Sequence, residues 1–513
     1  MEPCSPESSN YHCRKHLEAI RHPSGRPMQE KRSLFDWSSV ALFIALGLSV
    51  FPAAAQTSTD AFPSATASAS QNGVSPIPSQ SPFLGGTPTG KATGTAIPLT
   101  LRDAIDRGLR YNLGLVLSGI ASRSARAQRL RSLSDLLPHV AARTAESEQQ
   151  INLAAFGFPA PPGTSEIIGP FSVFDARGTL TESLDLHFWK NYRAASEEVH
   201  AQQLGDQNAR ETVVLVICDL YLEGLANQAR VKSAQAQVTT SEAVYKQTLD
   251  LKNSGVAAGI DVLRSQVNFQ ARQQRLVAIE NEFTKQKLTL ARAIGLPAGQ
   301  QFDFADAMPN PEVPPVTLEK ALADAYQNRF DYQQSQSLVH AAETSRSAAV
   351  LQHAPSLNFD GDYGTIGRTP ASAHPTYTAA LSLKIPVFQG GKIQADVQQA
   401  DAVLAQRQAE LEDLRGRIDQ DVRTAFLDLD ASARQVQVAQ SSVQLAGQQL
   451  EQARDRFRAG VSGSLDVVES QQAVAGADED LISSLYAYNL AKAALARATG
   501  LAEKSVKDFL GGR

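Results

Sequence analysis

Cysteine is scarce in this chain: three among 513 residues, at Cys4, Cys13 and Cys218. Two fall in an N-terminal segment read below as removed, so the remaining Cys218 has no partner for an internal disulfide. Its neighbours Val216, Ile217 and Leu220 make it a small buried hydrophobe rather than a reactive thiol. The histidines are scattered and form no cluster with cysteine, which argues against a structural zinc site; no cofactor is expected. Gly-rich phosphate loops, Gly-x-Ser-x-Gly and His-Glu-x-x-His are all missing, so the chain is not read as an enzyme. Aromatic residues are only 6%, low for a compact catalytic core, while Ala and Gln are abundant and suit long helices packed through narrow seams. Positive charge is not in excess: the formal net charge of -5 argues against a nucleic-acid binder. Long apolar runs are few. Val40–Val50 is too short to span a bilayer comfortably, and no later run reaches 18 apolar residues.

That short run follows Lys31 and Arg32 and precedes Pro52-Ala53-Ala54-Ala55. Basic, apolar and small residues in that order define a secretory signal peptide cleaved after Ala55, with Met28 standing where such a peptide usually starts. An uncleaved signal anchor is the alternative. Residues 1–55 are therefore read as extension plus signal peptide. Residues 56–97, almost wholly Ser, Thr, Ala, Pro and Gly, are read as a flexible leader.

The rest of the chain is one unit written twice. Thr100-Leu101 and Ala104 recur as Thr317-Leu318 and Ala321, and Pro138 recurs as Pro355, each 217 residues on. Gly255-Val256, Ile260-Asp261-Val262 and Gly295-Leu296 recur as Gly460-Val461, Leu465-Asp466-Val467 and Gly500-Leu501, now 205 residues on. The change of offset puts extra residues in the first copy between Pro138 and Gly255, near the Gly- and Pro-rich stretch 156–169. Expected boundaries are 98–297 for the first copy, 298–316 for a linker, 317–502 for the second copy and 503–513 for a tail.

Each copy reads as helix, strand pair, long helix, turn, long helix. Thr100 and Thr317 are N-cap residues, and the first helices should end near Pro138 and Pro355. Period-two alternation marks Leu357, Phe359 and Tyr363 as one strand and Tyr377 to Val387 as its mate. In the first copy Leu180, Leu184, Leu186 and Phe188 alternate with polar residues; Glu182 interrupts the apolar side without an evident reason. The first strand, near Val140 to Ile151, alternates poorly. After Gly390-Gly391 an apolar seam runs from Val397 through Leu414, Ile418, Val422 and Val436 to Phe457, enough for a helix on the order of 100 Å.

Four strands cannot close a barrel, and an open sheet in lipid leaves its edges unpaired. If the strands lie in a membrane, chains must pool them. The doubled unit, the Thr-Leu-x-x-Ala helix start, the proline before each strand pair and the Gly-x5-Asp-Val turn together resemble the TolC-type outer-membrane efflux family, from about Leu99 to Leu501. The resemblance implies an α+β membrane protein in which four strands per chain contribute to a trimeric 12-strand β-barrel on a long α-helical barrel. It implies a channel protomer in the outer membrane, extending into the periplasm. Its implied cargo is drugs, toxic compounds or secreted proteins, without a choice among them. Its implied partners are two further copies, a periplasmic adaptor (membrane fusion) protein, an inner-membrane efflux pump or ABC transporter, and the outer-membrane bilayer. A periplasmic coiled-coil scaffold or adaptor without its own pore is the alternative.

By the same resemblance, Gly255, Val256, Gly460 and Val461 are adaptor-docking tips; otherwise the glycines only turn the chain. Asp466 and Glu469, three apart on one helical face, correspond to acidic positions at the closed entrance, with Asp261 as the first-copy counterpart. A solvated helix start is the alternative for that pair. The family's latch arginine and tyrosine fall at Ser462 and Phe457, so that latch is not carried over. Tyr363, Tyr377, Trp189 and Phe388 are read as interfacial aromatics, with junction packing an equal reading for the last two.

Overall fold

The computed structural model describes residues 81–157, 163, 165–309 and 316–504. The signal peptide, Cys4, Cys13, the choice of start at Met28, most of the leader and the tail beyond 504 lie outside the described residues.

The chain order is β1 (Ile97–Leu99), α1 (Leu101–Tyr111), α2 (Leu113–Ser134), β2 (His139–Asn152), β3 (Ile167–Leu184), α3 (Leu186–Asn253) and α4 (Gly259–Ala293), then β4 (Phe302–Phe304). The second copy follows as α5 (Leu318–Asn328), α6 (Phe330–Leu351), β5 (Ser356–Gly367), β6 (His374–Lys384), α7 (Lys392–Arg458) and α8 (Ser464–Ala498). Duplication is thus visible element by element. The long helices α3 and α7 have 68 and 67 residues, about 100 Å each. Their hairpin partners α4 and α8 have 35 residues, half that length, where two long helices were expected. The upper half of each long helix is instead covered by α2 or α6, so each copy contributes two helical columns.

Thr100 and Thr317 cap α1 and α5 as expected, accepting from Asp103 N and Lys320 N. The single first helix expected in each copy is two helices. The chain leaves helical geometry at Asn112 and again at Arg329, 217 residues on. Asn112 is fully buried, and its Nδ2 donates to the Phe83 and Ala293 carbonyls. Arg329 is held by Asp331 and Asp421. Burial satisfied by specific hydrogen bonds replaces the glycine or proline that would have announced the break.

The largest core surrounds the middle of α3: Val213, Ile217, Cys218, Tyr221 and Leu222 pack against Leu99, Ile105, Leu290, Phe302 and Ala496. Cys218 is fully buried, and desolvation pushes its thiol pKa up. The most apolar window of α3 meets the length and composition of a membrane span, but 61% of it is buried inside the protein. Two boundary expectations are corrected here. Residues 81–97 are not a free leader: Pro82–Leu84 forms a turn, Phe83 packs on this core, and β1 pairs in parallel with β4. Residues 298–316 are not only a linker, because Phe302 and Phe304 of β4 are buried in the same core.

The four longer strands form one antiparallel sheet, ordered β2-β3-β5-β6. The poorly alternating segment is a full 14-residue strand, β2. Two strand ends differ from expectation. Leu186 to Phe188 begin α3, because Asp185 caps it through His187 N, and β6 stops at Lys384. The strand hairpin occupies residues 139–184 in the first copy and 356–384 in the second, which is where the extra residues lie. Beyond Phe174, β3 pairs only with β2, so that hairpin projects about 20 Å past its neighbour.

Candidate functional site: a two-faced sheet and paired helical tips

Register sorts the sheet residues onto two faces. Val140, Leu180, Gly361 and Ala379 lie in one row across the sheet, and Leu184, Leu357 and Leu383 in another. The same face carries Phe174, Ala176, Phe359, Leu381, Tyr363 and Tyr377. From Phe174 to Leu184 it measures about 33 Å along the strand, or about 25 Å after a barrel-like tilt, the height of an apolar membrane band. Leu381 and Leu383 are 68% and 63% exposed in the isolated chain, which water would penalise. Tyr363 and Tyr377 are paired across strands at one end of this band, and both are exposed. Near the other end Trp189 carries the Arg193 guanidinium over its ring, and Phe388 is exposed.

The opposite face is polar. Arg177 bridges Asp175 and Asp362, and Ser183 Oγ donates to Asn358 Oδ1. Glu182 remains an exception: it sits opposite Phe359 on the apolar face, with one buried oxygen lacking a hydrogen-bond partner among the described residues. Among the described residues both outer strands, β2 and β6, have one unpaired edge.

At the far ends of the long helices the hairpins turn through Gly255 and Gly460, with φ of 78° and 71°. Each glycine supplies the left-handed conformation of a helix-ending motif: Val256 N donates to Leu251 O and Val461 N to Arg456 O. Val256 and Val461 are 65% and 69% exposed. Ile260 and Leu465, their neighbours one turn on, are also exposed, so each tip presents a duplicated apolar pair. Sequence reasoning named the valines and missed Ile260 and Leu465, although the repeat itself aligns them.

Asp466 and Glu469 share the exposed face of α8, while Val467, Ser470 and Gln471 are buried on the other. Asp261 is placed differently. Its Oδ1 accepts from Ser464 Oγ at 2.8 Å, and Arg264 stands 3.9 Å away, so it ties the start of α4 to the start of α8. This link was also missed; the signal was that Ser464 stands where the first copy has Gly259. Phe457 occupies an apolar plug with Val244, Ala453 and Val467 just above the tips. Among the described residues no group of three or more His, Cys, Asp or Glu is placed to hold a metal ion.

A sheet with a membrane-height apolar face, carried on helices of about 100 Å, defines a membrane-embedded protein with a long helical stalk. Within that class the chain is similar to the TolC-type outer-membrane efflux family, a family of transport proteins. Residues 321–501 match the outer membrane efflux protein family. The chain is 24% identical over 391 residues to the pyoverdine export outer membrane protein OpmQ of Pseudomonas putida, spanning 74% of this chain and 81% of that one. It is 25% identical over 340 residues to the outer membrane protein TolC of Vibrio cholerae, spanning 61% and 74%. The fold is similar to that of the Campylobacter jejuni CmeC outer membrane channel, with a TM-score of 0.69 at 17% identity over 86% of this chain and 97% of that one.

Proposed function

We propose that this protein is the outer-membrane channel protomer of a tripartite efflux or type I secretion system. The observation that carries the reading is the open sheet: an apolar face of membrane height and two unpaired edges. In lipid each unpaired backbone group costs several kcal/mol, so the sheet must close against further copies. Each strand leads directly into one helical column, β2 and β5 from α2 and α6, β3 and β6 into α3 and α7. Strands and columns are therefore equal in number, and one copy number closes both the barrel and the tube beneath it. Three copies give the 12-strand barrel of the family.

The tips are the surface for a periplasmic adaptor. Val256, Ile260, Val461 and Leu465 offer apolar contacts at a free end, and the long helices carry that end about 100 Å from the sheet. Asp466 and Glu469 narrow the entrance, where three copies bring six carboxylates together; their shared exposed face supports this. Asp261 acts beside them by holding the two tips together through Ser464. An inner-membrane pump or ABC transporter supplies the cargo.

Single-channel recording from the detergent-extracted oligomer tests the reading. Small cation-selective currents are expected from the wild type, with selectivity reduced in Asp466→Ala/Glu469→Ala. Conductance with unchanged selectivity would remove the pair from the entrance. No conductance from a folded oligomer would favour a scaffold without a pore.

A further inference from the structure

We propose that a cleft between the two helical hairpins, about 20 Å above the tips, binds a small monovalent anion of halide size. The cleft has a volume of about 90 Å³ and is walled by Gln237 and Thr240 of α3, Arg272 of α4, Leu450 of α7, and Gln471 and Asp478 of α8. Such a space holds on the order of three water molecules and excludes any sugar or nucleotide.

Three hydrogen bonds frame it, one along each pair of neighbouring helices. Asn268 Nδ2 donates to Gln471 Oε1 at 3.0 Å, joining α4 to α8. Arg272 Nη1 donates to Gln237 Oε1 at 3.1 Å, joining α4 to α3. Ser233 Oγ donates to Asp478 Oδ2 at 2.9 Å, joining α3 to α8. Gln237 Nε2 in turn donates to Ser233 Oγ at 3.2 Å. This arrangement engages both glutamine side-chain oxygens and leaves the Gln471 amide donor over.

Gln471 is only 6% exposed, and its buried Nε2 has no hydrogen-bond partner among the described residues. The Arg272 guanidinium has five N–H donors, and its one described partner is an amide oxygen, not a carboxylate. Burial lowers its pKa with no neighbouring charge acting to restore it. A buried amide donor without a described acceptor and a half-desolvated cation with donors to spare thus line one small space. Water would satisfy the amide alone, whereas a halide accepts from the amide and the guanidinium together. Asp478 on the wall, with its Oδ2 engaged by Ser233, repels a polyvalent anion more strongly than a monovalent one. The bound ion would join Arg272 of the first copy to Gln471 of the second, adding a link between the two hairpins near the tips. The proposal does not depend on the chain forming a pore.

The test is thermal unfolding of the full-length oligomer in detergent, in sodium bromide against sodium gluconate at equal ionic strength. Gluconate is too large for the cleft. The wild-type midpoint is expected to lie about 2–4 °C higher in bromide, relative to Arg272→Gln and Gln471→Leu, which should show only the general effect of the salts. Arg272→Lys, which keeps the charge, should retain part of the difference and controls for loss of folding. Bromide-soaked crystals should show an anomalous peak between Arg272 and Gln471. An equal bromide dependence in wild type and Arg272→Gln, or the absence of that peak, would overturn the proposal.

Discussion

Single residues decide how the tips behave. Phe457 fills the plug formed with Val244, Ala453 and Val467, where the resemblance would have placed a tyrosine. Apolar packing therefore takes over at that position. Phe457→Ala should cost about 3 kcal/mol of local stability, on the order of a 100-fold faster amide exchange around Val467. Exchange at Ile217, in the separate core of α3, should stay unchanged; equal acceleration at both sites would deny the plug its local role. Gly460→Ala places a side chain at φ 71° and should destabilise the tip by about 1 kcal/mol, read as earlier proteolysis at that turn. The two turn glycines were legible because their conformation demands glycine and the repeat shows them twice. The Ser464–Asp261 bond was not, because a hydroxyl–carboxylate contact between residues 203 apart leaves no local pattern.

At the scale of elements, periodicity carried most of the fold. Alternation exposed β5 and β6, and the apolar seam exposed α7, whose buried positions Leu414, Ile418, Val422, Val436 and Phe457 lie on it. Lower down, the buried stripe also runs through Ser432, Ala439, Ala446 and Ala453, seven residues apart, small residues that a search for large apolar ones passes over. The breaks at Asn112 and Arg329 were hidden because polar side chains create them through tertiary partners. β2 was faint because its outward face turns from Val140 and Ala142 to Glu146 and Glu148 as the hairpin leaves the apolar band. The two-faced sheet makes a paired prediction. Leu381→Arg, on the apolar face two residues from the end of the band, should destabilise the protein in lipid by about 1–2 kcal/mol. Thr378→Arg, three residues away on the polar face, should be tolerated. Denaturant midpoints in lipid vesicles would check both, and equal effects would contradict the assignment of faces.

At the scale of the molecule, one chain is incomplete. Among the described residues its sheet has two open edges and an apolar face that nothing covers. The duplication accounts for its parts, two strands and two helical columns from each copy, and in the proposed channel each chain is one sector of a tube. That much was readable from the repeat and the strand pattern, whereas the number of sectors rests on the family. Native mass spectrometry of the detergent-extracted protein tests this most directly. The account predicts three copies of the chain, twelve strands in all. A stable monomer with a folded sheet would contradict it.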